Sequence, residues 1–179
     1  SNRSLYYYSS YGCPHRCLFC VEPAVNKHCW VGLDPEKVAD EITFLKKKYD
    51  IDSVQITDSN FFVSEDRAKK FAQRLIDNKT NIKWGNANGR ARQMSVYNDE
   101  TWKQLKESGL ASILVGAESG DNNILEYMKK DISTEDTIEL VTLCNRYDIR
   151  VLCAFLVGFP RDSHPDQCQR IIDEEIASV

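Results

Sequence analysis

Short runs of β-branched and aromatic residues alternate along the chain with longer stretches whose apolar side chains return every three or four positions. The runs at residues 5–9, 53–57, 82–85, 112–115 and 150–157 read as strands. Between them, Val38, Ile42, Leu45 and Tyr49 form one helical stripe, opened by Asp34 as N-cap and Pro35 at the first helical position. A second helix follows Ser64 and turns Ala68, Phe71, Ala72 and Leu75 to one side. A third runs from Asn98 through Trp102 and Leu105 and stops at Gly109, which suits a left-handed helix end. A fourth opens at Ser133, with Asp136 placed to complete a capping box, and carries Ile138, Val141 and Cys144. A last helix is expected to begin near Pro165.

Strand–helix alternation at this spacing implies parallel strands joined by crossovers, an α/β fold. An open doubly wound sheet and a β/α barrel both satisfy the pattern, and periodicity does not separate them. In either architecture, chemistry belongs to the loops at the C-terminal ends of the strands. Nothing in the chain is low in complexity, and no Pro-, Gly- or Ser-rich linker divides it, so residues 1–179 are expected to form a single domain.

Composition narrows the class. With 42% hydrophobic and 28% charged residues, the chain has the make-up of an ordinary globular protein. A net charge of −4 gives no basic field for nucleic acid. The longest apolar run, residues 151–159, is too short to span a membrane. Seven cysteines, an odd number, with three crowded into one loop, fit a reducing compartment, and a cytoplasmic location is expected. The chain opens Ser-Asn-Arg-Ser without an initiating Met and is read as a piece of a longer protein.

The loop after the first strand reads YGCPHRCLFC, with Cys13, Cys17 and Cys20 spaced C-x3-C-x2-C. Iron–sulfur clusters and structural zinc sites both ordinarily take four protein ligands. Three thiolates therefore either leave one metal position open for chemistry or borrow a fourth ligand, for which His15, His28 and Cys29 are the candidates. The second strand ends in ITDSNFF, where Asp58 and Asn60 make a polar turn or a binding pair. The third leads into NANGRARQM, whose Arg90 and Arg92 offer guanidinium forks for a carboxylate or simply lie on the surface. The fourth ends in Glu118, a carboxylate in an apolar strand that must reach for hydroxyls or a cation.

CPHRCLFC resembles the cysteine loop of the radical S-adenosylmethionine (SAM) superfamily, with Phe19 at the aromatic position before the third cysteine. Other segments resemble the cobalamin-associated branch of that family. Asp58 and Asn60 stand in a D-x-N-F segment where many members carry Gly-Gly-Glu. The run GAESG around Glu118, followed by Met128 and Lys130, matches a segment of that branch, as does WVGLDPEKVADEI. Ala154, Leu156 and Gly158 stand at the positions of a G-x-I-x-G segment, with Ala for the first Gly and Leu for Ile. The resemblance spans roughly residues 5 to 165.

The resemblance implies a partial β/α barrel of parallel strands, with five of the six units of the family's core. A longer parent protein would supply the sixth strand and an upstream cobalamin-binding domain. It further implies that Cys13, Cys17 and Cys20 hold a 4Fe–4S cluster whose fourth iron is chelated by SAM. Asp58, Asn60, Arg90 and Glu118 would hold SAM, Phe19 and Leu156 would flank its adenine, and the backbone near Gly158 would meet the same ring. One electron then cleaves SAM to methionine and a 5′-deoxyadenosyl radical that abstracts hydrogen from an organic substrate, in support of cobalamin-dependent methyl transfer. A cyclase or methylthiotransferase working without cobalamin is the alternative within the family, and a zinc or iron–sulfur module without catalysis is the alternative outside it. The implied partners are SAM, a substrate the sequence does not name, and an electron donor such as flavodoxin or ferredoxin.

Overall fold

The computed structural model describes residues 3–157 and the pair 176–177. Strand β1 (Ser4–Tyr7) is followed by a short hairpin of β2 (Ser10–Gly12) and β3 (Trp30–Gly32), whose connection contains the cysteines and the one-turn helix α1 (Glu22–Asn26). Helix α2 (Pro35–Tyr49) leads to β4 (Ser53–Ile56), a 3₁₀ turn at Phe61–Val63 and helix α3 (Glu65–Asp77). Two three-residue strands come next, β5 (Lys83–Gly85) and β6 (Ala87–Gly89), then α4 (Ala91–Ser95) and α5 (Asp99–Glu107). The described chain closes with β7 (Ser112–Glu118), α6 (Asn122–Tyr127), α7 (Thr134–Arg146) and β8 (Arg150–Phe155).

The main strands are parallel and neighbour one another in chain order. β1 pairs with β4 and β4 with β5, while β6 pairs with β7 and β7 with β8. The two ladders are joined where Trp84 bonds both Gly109 O (3.1 Å) and Ala111 N (2.9 Å). The strand expected at 82–85 is β5, and a further short strand, β6, follows it after a break at Asn86, which lies at φ +52° and donates its N–H to Ser112 Oγ at 3.2 Å. That break hands the sheet from β4 to β7 and curls it. The result is a partial β/α barrel without closure, and among the described residues the outer edges of β1 and β8 are unpaired. The last helix expected, near Pro165, lies outside the described residues.

The caps follow from the side chains expected to form them. Asp34 accepts from Lys37 N, Ser64 from Arg67 N, Asn98 from Thr101 N, and Ser133 forms a full capping box with Asp136. The α5 turn ends with Gly109 at φ +102°. The core lies between the sheet and the helices, with Phe61, Phe71 and Trp84 in edge-to-face contact and Trp102 fully buried beneath Tyr147. Two stripe assignments need correction. Tyr49 is 54% exposed, its ring covered by Lys48 Nζ at 5.0 Å, so the α2 stripe is Val38, Ala39 and Ile42. Ile138 is 66% exposed because α7 is apolar on two sides and turns Leu140 and Cys144 inward instead.

Candidate functional site

The cysteine loop is suspended between the hairpin and the C-terminal end of α6. Leu18 N donates to Met128 O at 2.9 Å, Cys20 N to Cys17 O at 3.2 Å, and Cys29 N to Asn26 O at 2.8 Å. Cys17 is buried and Cys13 and Cys20 are half-buried, and all three line one cavity of about 270 Å³ at the C-terminal ends of the parallel strands. Cys29 is exposed and does not line that cavity, and His28 turns its ring to His15 O at 3.2 Å. Burial pushes the Cys13 thiol up from its ordinary value. Among the described residues, no three His, Cys, Asp or Glu side chains converge on a point that would hold a single metal ion. A cluster would make no such demand, since Cys13, Cys17 and Cys20 would each hold a separate iron.

The remaining walls come from the ends of four strands. Asn60 follows β4, Arg90 follows β6, Glu118 ends β7 and Ala154 belongs to β8, with Phe19 of the cysteine loop opposite. Arg90 is buried and reaches Cys17 Sγ through Nη1 at 3.5 Å, with Asp131 as a more distant partner of Nη2 at 3.6 Å. Arg92, by contrast, is over half exposed and pairs with Asp136 at 3.0 Å on the surface, so only the first arginine is available to the cavity. Asn60 is 3% exposed and donates Nδ2 to Gln93 Oε1 at 3.3 Å.

Glu118 answers the question its sequence position poses. Its carboxylate meets Lys130 Nζ at 2.7 Å, both side chains about 10% exposed, and Lys130 Nζ also lies 5.7 Å from the centre of the Phe19 ring. The close approach depends on Gly116: a Cβ there would collide with Glu118 Oε1 and stand 2.6 Å from Lys130 Nζ. The backbone of Glu118 is left-handed, at φ +63°, where the β7–β8 register shifts. Leu156 is half-buried and ties its N–H to Glu118 O at 2.8 Å, but it is Ala154 that lines the cavity. Gly158 lies outside the described residues.

Asp58 does not line the cavity. It is fully buried beneath it, with Oδ1 accepting from Ser9 N at 2.6 Å and Oδ2 accepting from the hydroxyls of Ser9 and Ser10, each at 2.6 Å. Both carboxylate oxygens are thereby occupied inside the protein.

Three buried side-chain atoms of cavity residues make no hydrogen bond: Asn60 Oδ1, His15 Nε2 and Arg90 Nη2, the last having only its 3.6 Å ion pair with Asp131. Buried polar groups are ordinarily satisfied, and such a concentration around one hollow marks the place of a polar occupant. Thiolate donors beside a guanidinium, an amide, a carboxylate and an aromatic ring fit an iron–sulfur cluster with a charged, ring-bearing ligand. A larger hollow of about 470 Å³ at the opposite, N-terminal ends of the strands is lined by Lys83, Lys106 and Arg150 and contains no thiol. Lys130 and His15 are site residues whose roles the sequence left unassigned; the first was legible in the segment running from Glu118 to Lys130, the second only as an alternative metal ligand.

Comparison with known proteins places the chain in a family. The family model "Radical SAM superfamily" matches residues 7–169, and the chain belongs to that superfamily. Among curated proteins, it is 28% identical over 158 residues to an uncharacterized methyltransferase of Pyrococcus horikoshii, covering 88% of this chain and 34% of the relative. It is 25% identical over 153 residues to an anaerobic magnesium-protoporphyrin IX monomethyl ester cyclase of Rubrivivax gelatinosus, covering 85% of this chain and 27% of that protein. Among solved structures it resembles the radical S-adenosylmethionine methyltransferase TsrM from Kitasatospora setae, at TM-score 0.75 and 22% identity over 99% of this chain and 34% of that one. The cobalamin-dependent S-adenosylmethionine radical enzyme OxsB superposes at TM-score 0.78 and 20% identity, over 98% of this chain and 26% of that one. The chain thus spans about a third or less of the length of these proteins. No helix among the described residues is long and apolar enough to cross a membrane.

Proposed function

We propose that this chain is the cluster- and SAM-binding core of a radical SAM enzyme, and that the longer protein carries out cobalamin-dependent methyl transfer. The observation that carries the reading is the gathering of Cys13, Cys17, Cys20, Phe19, Asn60, Arg90 and Glu118, from four separate segments, around one cavity. Cys13, Cys17 and Cys20 would each hold one iron of a 4Fe–4S cluster and leave the fourth to the amino and carboxylate groups of SAM. The chemistry supplied by such a cluster, once reduced, is one-electron cleavage of SAM to methionine and a 5′-deoxyadenosyl radical that can take a hydrogen atom from a substrate carbon.

The protein's own work is binding and orientation. Arg90 would set its guanidinium between the Cys17 sulfur and the SAM carboxylate, balancing negative charge on both sides. Asn60, whose Oδ1 has no partner, would accept from the SAM ammonium. Glu118, held by Lys130, would accept from the ribose hydroxyls, and Phe19 and Leu156 would flank the adenine. The buried surroundings of Cys17 would keep water from the reactive carbon. The electron would come from a small donor such as flavodoxin or ferredoxin in the cytoplasm. Ring closure is a second reading, favoured by the cyclase of Rubrivivax gelatinosus at 25% identity.

Anaerobic reconstitution with iron and sulfide tests the first step. A brown protein with broad visible absorption that forms 5′-deoxyadenosine from SAM under dithionite is the expected result. A colourless protein that retains zinc instead would refute the reading. Methyl transfer from labelled SAM with added methylcobalamin separates the two activities in the longer protein.

A further inference from the structure

The fold buries one pair of opposite charges that the cavity does not use. Arg67 is 7% exposed and Asp58 is fully buried, and neither lines the cavity. Between them stands Ser9, whose polar groups are all engaged. Its N–H and its hydroxyl go to Asp58 at 2.6 Å each, while its carbonyl accepts from Arg67 Nη2 at 2.7 Å and its hydroxyl oxygen from the same nitrogen at 3.0 Å. Arg67 also donates Nε to Leu33 O at 3.3 Å on the far side of the β2–β3 hairpin, and its guanidinium lies 5.1 Å from the centre of the Phe61 ring.

Burying two ions costs several kcal/mol each, and such pairs are often replaceable by apolar residues without loss of stability. Stability alone therefore gives little reason to keep them. Position does: Ser9 and Ser10 launch the segment that carries Cys13, and Asp58 precedes Asn60 on the cavity wall. We infer that Asp58 and Arg67 are positioning residues for the metal site, which clamp Ser9 and thereby fix where the cysteine loop leaves the sheet relative to Asn60. This rests on the reading of the cavity as a cluster site. It also reassigns Asp58, which the sequence presents as a direct SAM contact, to a place one layer deeper.

Residues one layer behind metal ligands typically shift metal retention by about 10–100-fold. The test uses reconstituted protein challenged with EDTA, with loss of cluster absorbance followed at a temperature where circular dichroism shows every variant folded. Ser9→Ala and Arg67→Met should release iron about 10–100-fold faster than the unaltered protein, with Arg67→Lys restoring most of the retention. Asp58→Asn, which weakens the hold on Ser9, should likewise release iron faster than the unaltered protein. Should Arg67→Met fail to fold, Ser9→Ala, which removes a single oxygen, carries the comparison. Folded Ser9→Ala protein that releases iron no faster than the unaltered chain overturns the inference. So does a folded Asp58→Asn protein that retains iron as long as the unaltered chain. Failure of the unaltered protein to take up a cluster at all would overturn this inference together with the function on which it rests.

Discussion

Replacing Lys130 by Met removes the only cation within hydrogen-bonding range of the Glu118 carboxylate among the described contacts, at 2.7 Å, and leaves that carboxylate about 10% exposed. Breaking a buried pair by deleting one partner costs about 3–5 kcal/mol, because the remaining charge is left without compensation. The pair borders a cavity, which eases the penalty, so the lower end applies: about 3 kcal/mol. For a chain of 179 residues a loss of 1 kcal/mol lowers Tm by roughly 2–4 °C, which sets the fall at roughly 6–12 °C. Glu118→Gln should cost a similar amount by stranding the ammonium instead. The double variant, which strands neither, should be no less stable than either single one. Thermal and denaturant unfolding of all four proteins measures the cycle. Strictly additive losses, or a Lys130→Met protein that melts with the unaltered chain, would show that the two charges are independently solvated and that Glu118 is not held in place.

Three further outcomes are expected. Cys13→Ala, Cys17→Ala or Cys20→Ala should each abolish iron retention, whereas Cys29→Ala, whose thiol is exposed and away from the cavity, should retain iron fully; iron and sulfide analysis decides. Phe71→Ala, in the ring cluster with Phe61 and Trp84, should destabilise the fold by about 3–5 kcal/mol, read by denaturant unfolding. Burial pushes the Cys144 thiol up to about 12. The unfolded chain ionises this thiol first, so its contribution to stability is complete below the ordinary thiol range and is lost as pH rises towards 12; urea midpoints across that window should fall in the native protein and less so in Cys144→Ala.

The site was legible in the sequence wherever a residue type has few other uses. Three cysteines in one loop and a carboxylate at the end of an apolar strand are anomalies that packing does not explain, and the structure brings all four residues to one cavity. Arg90 and Arg92 were indistinguishable in sequence because spacing does not say which side of a short helix faces inward; only the fold turns one to Cys17 and the other to Asp136. Asp58 was misplaced for a similar reason. A buried acid and a ligand-binding acid look alike until its partners, Ser9 and Ser10, are brought from almost fifty residues away. The hairpin of β2 and β3 escaped notice because three-residue strands carry no period, and the split at Asn86 because a single left-handed residue leaves no apolar signature.

The left-handed backbone of Glu118 has a consequence for how this chain can change. A non-glycine residue at φ +63° forgoes roughly 1–2 kcal/mol relative to an ordinary strand conformation. Glycine would sit there without strain, and with Lys130 neutralised at the same time no stranded charge would remain. The most stable version of this corner is therefore one that has lost its carboxylate. Selection for thermal robustness alone would drift towards that version, and a screen that read only melting temperature would enrich for Glu118→Gly with Lys130→Met and discard the site unnoticed.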